Sequence, residues 1–218
     1  MDYKSVIFDL DGTLLDTIDD LADSMNCVLN RLNYPQHPNE AYKYFVGDGM
    51  KTLAMRVLPE NARTEENIKK CYDCMVEEYD GRWADKTKPY DGIYDLLDGL
   101  KRRGVSFSVL SNKPDQFTQV VVKKFFKNYE FAFVIGESAD IPKKPDTKGV
   151  LFISQNLNLA PSQFLYVGDT STDMKTAVTA KMHAVGALWG FRTKEELVAS
   201  GAQTLISRPC ELLEKFYK

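Results

Sequence analysis

The apolar positions of this chain follow two different periods. Val6-Ile7-Phe8 is a short apolar run that stops on Asp9, with Leu10 between Asp9 and Asp11 and a glycine, Gly12, directly after. A run this short and this apolar predicts a strand buried on both faces of a parallel sheet. From residue 17 to 83 the period becomes helical. Ile18, Leu21, Met25, Val28, Leu29 and Leu32 mark a first helix that Asp16 or Thr17 can cap, and a second segment runs from Asn39 to Phe45. After Gly47-Asp48-Gly49 a third helix reaches about Leu58, and past a proline break a long one starts at Thr64. No strand is predicted in this stretch.

Proline and glycine punctuate Lys88-Pro89-Tyr90-Asp91-Gly92, which reads as a return linker. Beyond it strands and helices alternate. Helix Ile93 to Arg103 precedes strand Val105 to Leu110. A helix from about Asp115 to Phe126 then precedes strand Phe131 to Ile135. The pattern continues through helix Lys148 to Asn156, strand Phe164 to Val167, helix Thr172 to Ala180 and strand Ala184 to Leu188. Helix Thr193 to Ser200, strand Thr204 to Ile206 and a last helix complete it. Such alternation specifies an α/β fold, a doubly wound parallel sheet with right-handed crossovers. The all-helical block reads as an inserted cap domain. Residues 1–15 and 88–218 are expected to form the α/β core, and residues 16–87 the cap.

Length and composition bound the partners. A chain of 218 residues with 44% hydrophobic and 27% charged residues suits one core plus a small insertion. A net charge of −3 supplies no basic field, so nucleic acid is not expected as a main partner. Only a short apolar strand follows Met1-Asp2-Tyr3-Lys4, too short for a signal-peptide core or a membrane span, so no membrane association and a cytoplasmic location are expected. A monomer or weak homodimer is expected. The cysteines are scattered, and the lone pair Cys71 and Cys74 lies on the long helix, where Cys71 falls in the apolar stripe with Ile68, Tyr72, Met75, Val76 and Tyr79. It reads as packing rather than a metal site, which needs further ligands.

Polar residues collect where strands end. In an extended segment Asp9 and Asp11 point the same way, so two carboxylates share one small volume, an arrangement that calls for a cation or a shared proton. The second strand runs into Ser111-Asn112-Lys113, and the later one into Gly168-Asp169-Thr170-Ser171-Thr172-Asp173, with Lys143-Lys144-Pro145 in a loop between them. Each alone can be a turn former, a helix cap or a solvated lysine. Together, a carboxylate nucleophile, a hydroxyl, a lysine and a further acidic pair at one sheet edge are the parts needed for phosphoryl transfer.

The string Asp9-Leu10-Asp11-Gly12-Thr13-Leu14-Leu15-Asp16-Thr17 resembles the first motif of the haloacid dehalogenase-like (HAD) hydrolase superfamily, phosphatase branch. Ser111-Asn112-Lys113 resembles its second motif, Lys144-Pro145 its third, and Gly168 to Asp173 its fourth. The block after the first motif resembles a C1-type cap. The tail from Leu188-Trp189-Gly190-Phe191-Arg192 through Leu197, with Gly201-Ala202 and Leu205-Ile206, resembles phosphoglycolate phosphatase-like members. Thr147 stands where many relatives have a second proline, and Lys181-Met182 replaces a common Gly-Met turn.

The resemblance implies a Rossmann-like core and these roles. Asp9 attacks phosphorus, forms an aspartyl-phosphate and binds the metal. Asp11 offers its backbone carbonyl to the metal, and its side chain acts as general acid and then base. Asp169 completes the metal site, with Asp173 orienting it from behind. Lys144 balances charge. Ser111, Asn112 and the amides near Leu10 and Gly12 hold the phosphate. Mg²⁺ suits such oxygen donors. The substrate class is a small phosphorylated metabolite, with 2-phosphoglycolate foremost. A phosphomutase of the β-phosphoglucomutase type, a pyrophosphatase or a nucleotidase are the alternatives. In the cap, Gly47 and Gly49 form the candidate specificity loop, with Lys51 or Arg56 expected to reach a substrate carboxylate.

Overall fold

The opening apolar run forms β1 (Ser5–Phe8), buried throughout, and it ends where the carboxylates begin. A two-residue strand, β2 (Leu15–Asp16), leads into helices α1 (Ile18–Arg31), α2 (Asn39–Phe45), α3 (Met50–Val57) and α4 (Glu65–Asp80). β3 (Lys88–Pro89) brings the chain back to α5 (Ile93–Arg102), β4 (Ser106–Pro114), α6 (Asp115–Phe125) and β5 (Val134–Glu137). Then follow α7 (Lys148–Asn156), β6 (Phe164–Gly168), α8 (Ser171–Thr179), β7 (His183–Ala187), α9 (Lys194–Ala199), β8 (Thr204–Ile206) and a closing 3-10 helix, Pro209–Phe216. This computed structural model describes residues 3–216.

The six long strands lie in the order β5-β4-β1-β6-β7-β8, and every pairing is parallel. From β1 the chain builds outward through β4 to β5 and then crosses back to β6 on the other side. The order therefore reverses at β1, which is where doubly wound sheets open a crevice beyond their carboxyl ends. Alternation along β1 sends Val6 and Phe8 into the core layer that includes Leu96, Leu100 and Val121. Ile7 enters the opposite layer with Val150, Ile153 and Met174.

The helical block packs around its own apolar cluster. Met25, Val28 and Leu29 of α1 meet Leu53 and Val57 of α3 and Cys71 and Met75 of α4, and among the described residues only Phe117 and Phe191 reach into that cluster from the sheet-bearing part. Cys71 is buried, as its place in the stripe predicts, with its sulfur 3.7 Å from that of Met25. Thr64 caps α4 by accepting from Asn67 N at 3.2 Å, while Thr17 holds the N-cap position of α1 without a capping bond.

Three local features differ from the sequence-based expectation. The return linker is a ribbon, with Leu15 opposite Pro89 and Asp16 opposite Lys88, too short for any periodicity to show. It is clamped by buried Asp20 on α1, which accepts from Lys86 N (2.9 Å), Thr87 N (2.8 Å) and Thr87 Oγ1 (2.7 Å). β4 continues past its apolar run through Ser111, Asn112 and Lys113, and the last helix is 3-10. The turn at Lys181-Met182 keeps the left-handed geometry a glycine would favour, because Lys181 itself adopts φ 61°. Among the described residues no helix is long and apolar enough to cross a membrane.

Met25 is fully buried in the helical cluster, so Met25→Ala is expected to lower the unfolding free energy by about 2–5 kcal/mol in urea titrations. If the helices open apart from the sheet, amide exchange should rise in α1 to α4 and stay unchanged in β1 and β6. Equal acceleration in both would show one cooperative unit.

Candidate active site

Register places the reacting groups. Phe8 lies level with Val109 on β4 and Val167 on β6, so Asp9, Ser111 and Asp169 all emerge within two residues of the same line. Asp9 N donates to Val167 O (2.9 Å), fixing the first step past the strand. Asp9 Oδ1 then accepts from Leu10 N (2.7 Å) and from Lys144 Nζ (2.8 Å). Lys144 also reaches Asp173 Oδ1 at 2.7 Å. Asp173 is the third residue of α8, where it completes a capping box with Thr170. Its Oδ2 accepts from Thr170 N (3.1 Å) and Oγ1 (2.6 Å), and its Oδ1 also accepts from Tyr166 OH (3.2 Å). Asp169 is held by Thr13 Oγ1 (2.9 Å) and Phe191 N (2.8 Å).

Asp9, Asp169 and Asp173 are all buried, and each offers an oxygen within 4.8 Å of the others. Lys144 is the ammonium that meets them, so this pocket holds two more negative charges than positive ones. Burial, and then the Asp173 carboxylate, push Asp9 well above the usual carboxylate range. The same two causes push Asp169 up to about 7. Burial alone would depress Lys144, but Asp173 and Asp9 outweigh it and keep the ammonium charged. An oxygen-only donor set with excess negative charge fits a hard divalent cation. Gly12 and Gly190 leave the space, since a Cβ at either would overlap the Asp169 carboxylate, and Gly12 sits at φ +85°.

Asp11 stands apart from that cluster. Both its oxygens accept from Lys113 Nζ, at 3.0 and 3.1 Å, and the ammonium lies 4.6 Å from the centre of the Tyr79 ring on α4. Ser111 Oγ accepts from Lys113 N (3.2 Å) and faces the same cleft. Asn112 does not face phosphate through its amide. That side chain accepts from Lys144 N (2.7 Å) and donates to Lys144 O (3.1 Å) and Gly47 O (3.0 Å), so it braces the lysine loop and the loop before α3.

The loop before α3 is latched to the sheet. Besides the Asn112 bond, Val46 O accepts from Arg192 (2.8 Å), Asp48 O from Lys143 Nζ (3.1 Å) and Asp48 Oδ1 from Thr172 Oγ1 (2.7 Å). Gly47 and Gly49 line the cleft. Lys51 and Arg56 do not. Lys51 is corrected: α3 turns Met50, Leu53 and Val57 inward, so Lys51 points outward, mostly exposed, and pairs with Glu65 at 3.4 Å. Arg56 is corrected as well, because it bonds Asp48 and the Phe45 carbonyl (3.1 Å) and supports the loop from behind. The Asp48 carboxyl is half-buried, which raises it, yet the Thr172 and Arg56 bonds hold it below its usual range. What remains is a cleft of about 40 Å³, roughly three waters' worth, walled by Leu21, Met50 and Leu53 above Asp9 and Asp11.

Residues 6–187 match the family model of the haloacid dehalogenase-like hydrolases. The chain belongs to that family. Among curated HAD relatives, the phosphoglycolate phosphatase of Pseudomonas putida KT2440 is 30% identical over 211 residues, covering 93% of this chain and 76% of the relative. That of Psychrobacter arcticus is 29% identical over 203 residues, covering 90% and 88%. The crystal structure of a Lactobacillus delbrueckii subsp. bulgaricus protein superposes with a TM-score of 0.93 at 28% identity over 99% of both chains. A predicted phosphoglycolate phosphatase from Haemophilus somnus gives 0.92 at 25% identity, over 100% of this chain and 99% of its own. HAD phosphatases use a metal, and the acidic cluster here provides a place for one.

Sequence reasoning did not single out Thr13, Lys113, Tyr166 or Arg192. Thr13 and Lys113 lie inside motif strings already read, Tyr166 was hidden in an apolar strand, and only its hydroxyl sets it apart. Arg192 lies in the matched tail, and its partner is a backbone carbonyl, which leaves no trace in sequence.

An Asp169 carboxyl raised to about 7 binds a proton more tightly folded than unfolded, where its ordinary value is 3.8. Without metal, stability should therefore fall as pH rises from about 4 to 7. A divalent cation should raise the melting temperature more at pH 8 than at pH 5, when its competitor is the proton. An equal gain at both pH values would place cation binding elsewhere.

Proposed function

We propose that this protein is a Mg²⁺-dependent phosphomonoesterase that forms an aspartyl-phosphate on Asp9 and acts on 2-phosphoglycolate. One observation carries the reading. Asp9 sits at the floor of the cleft with Oδ1 fixed by Leu10 N and Lys144, while none of the described residues donates a hydrogen bond to Oδ2. Asp11, two residues on, lines the same cleft. Nucleophile and proton carrier thus face one small volume.

Asp9 attacks phosphorus, and the bond to the leaving oxygen breaks. Asp11 hands that oxygen a proton, then takes one from the water that attacks phosphorus and frees Asp9. Lys144 and Ser111 donate to the phosphate oxygens, joined by the amides near Leu10 and Gly12. Mg²⁺, when bound, would neutralise phosphate charge so that an anionic nucleophile can approach. Asp9, Asp169 and the Asp11 carbonyl would hold it. Asp173, saturated by Lys144, Tyr166 and Thr170, would orient the site from behind.

Residues 16–87 act in this reading as a cap on a core of residues 1–15 and 88–218, with the β2–β3 ribbon as hinge. The names of the curated relatives favour 2-phosphoglycolate over a hexose phosphate or a nucleotide, which ranks hydrolase above mutase and nucleotidase.

Asp9→Asn preserves shape but removes the attacking charge, so phosphate release from 2-phosphoglycolate with Mg²⁺ should fall by at least about a thousandfold. A near wild-type rate would overturn the assignment. Asp11→Asn should slow alkyl phosphates while p-nitrophenyl phosphate, whose leaving group needs no acid, still labels Asp9. Failure to trap that phosphoenzyme would give Asp11 another role.

A further inference from the structure

The corrected positions of Lys51 and Arg56 leave the cleft with one cation facing the leaving-group side. Lys144 lies beneath Asp9, tied to Asp9 and Asp173. Lys143 is spent on Asp48 O and Thr52 Oγ1, and Arg192, which donates to Val46 O and pairs with Glu196, lies outside the cleft lining. Among the described residues, Lys113 is the remaining lysine or arginine in the cleft lining.

Its surroundings suit an exchangeable ion pair. The Lys113 side chain is 2% exposed, so its ammonium must keep an anion beside it, since an unpaired charge at such depth is strongly disfavoured. Asp11 supplies that anion with both oxygens. Yet while both oxygens face Lys113, Asp11 is not turned toward a leaving oxygen at Asp9, where the proposed reaction needs it. A substrate carboxylate entering the cleft resolves both demands. It gives Lys113 a second anion of the same type and lets Asp11 rotate to the reacting centre. The Tyr79 ring holds the ammonium from the cap side, so Lys113 keeps its place during the exchange.

We propose that Lys113 is the specificity residue that binds the substrate carboxylate, exchanging its pair with Asp11 for one with the leaving group. This rests on the phosphatase reading above and names how that site selects an acidic substrate. It also assigns a reason for the lysine to follow Ser111 and Asn112 directly. β4 carries Ser111 toward the phosphoryl group, and Lys113, two residues further along the same strand, faces the same cleft beside the leaving-group position.

The test reads binding rather than turnover, so the two readings fail separately. Full-length Asp9→Asn protein with Mg²⁺ is titrated calorimetrically with 2-phosphoglycolate and with 2-hydroxyethyl phosphate, an analogue of similar size that keeps the phosphate and lacks the carboxylate. The carboxylate ligand is expected to bind at least about tenfold more tightly. Adding Lys113→Met should abolish that preference. Adding Asp11→Asn instead should widen it, because Lys113 then has no internal competitor. If Lys113→Met alone does not fold, Asp11→Asn with Lys113→Met takes its place, since this pair buries no lone charge. No preference at the outset, a preference that survives loss of Lys113, or one that shrinks in Asp11→Asn overturns the inference. Absence of phosphate release by the unmodified protein would sink the phosphatase reading while leaving the binding comparison to decide on Lys113.

Discussion

Burying Asp9, Asp169 and Asp173 beside the single ammonium of Lys144 is the constraint to which the surrounding structure answers. Each desolvated carboxylate costs several kcal/mol unless donors replace its water. The donors come from every part of the sheet edge: Leu10 N after β1, Thr13 Oγ1 in the following turn, Tyr166 OH on β6, Thr170 at the start of α8 and Phe191 N after β7. No one segment could supply them. The central placement of β1 between β4 and β6 is what lets them converge, and a register slip on either side would strand a charge. Even so the donors do not cancel the excess, as the raised Asp9 and Asp169 carboxyls show. What remains is an oxygen-donor site with excess negative charge, the kind that suits a divalent cation.

The same rule, an anion surrounded by fixed donors, joins the helical block to the sheet. Asp20 gathers the returning segment through the Lys86 and Thr87 amides, so the ribbon has one firm anchor although β2 and β3 are only two residues each. Asp48 ties the loop before α3 to Thr172 and to Arg56. These bonds consume the cations that the sequence offers to a substrate. Arg56, Lys143 and Arg192 all serve the loop's carbonyls or its carboxylate, and the cleft beside it is lined mainly by apolar side chains and one lysine.

The sheet and the strand-end residues were legible because their signals are local. An apolar run ended by Asp9, or by Ser111, or by Gly168-Asp169, tells both where a strand lies and which edge it presents. Gly47 and Gly49 were legible for a similar reason, since a loop between two helices has few places to go. Lys51 and Arg56 were not, although the 3.6 period of α3 already contained the answer for one of them. Met50, Leu53 and Val57 define the buried face, and Lys51 lies outside it. For Arg56 the deciding partner, Asp48, is acidic and eight residues away, and no periodicity announces such a pair. The β2–β3 ribbon and the Asp20 clamp were invisible because they join segments more than sixty residues apart through backbone groups.

Spacing within Gly168 to Asp173 shows why two readings of one motif need not compete. A turn with a helix cap and a metal-site loop both describe this stretch. Asp169 leaves β6 at the sheet edge, Thr170 takes the N-cap position, and Asp173 falls at the third helical residue, where a carboxylate accepts from the cap. Capping occupies Oδ2 of Asp173 and so fixes the direction of Oδ1, which meets Lys144 and Tyr166. The helix start therefore sets the lysine, and the lysine sets Asp9. A residue chosen only to cap would tolerate serine or asparagine, but neither brings the charge that holds Lys144 in place, and that charge is what couples the local preference of a helix terminus to the position of Asp9.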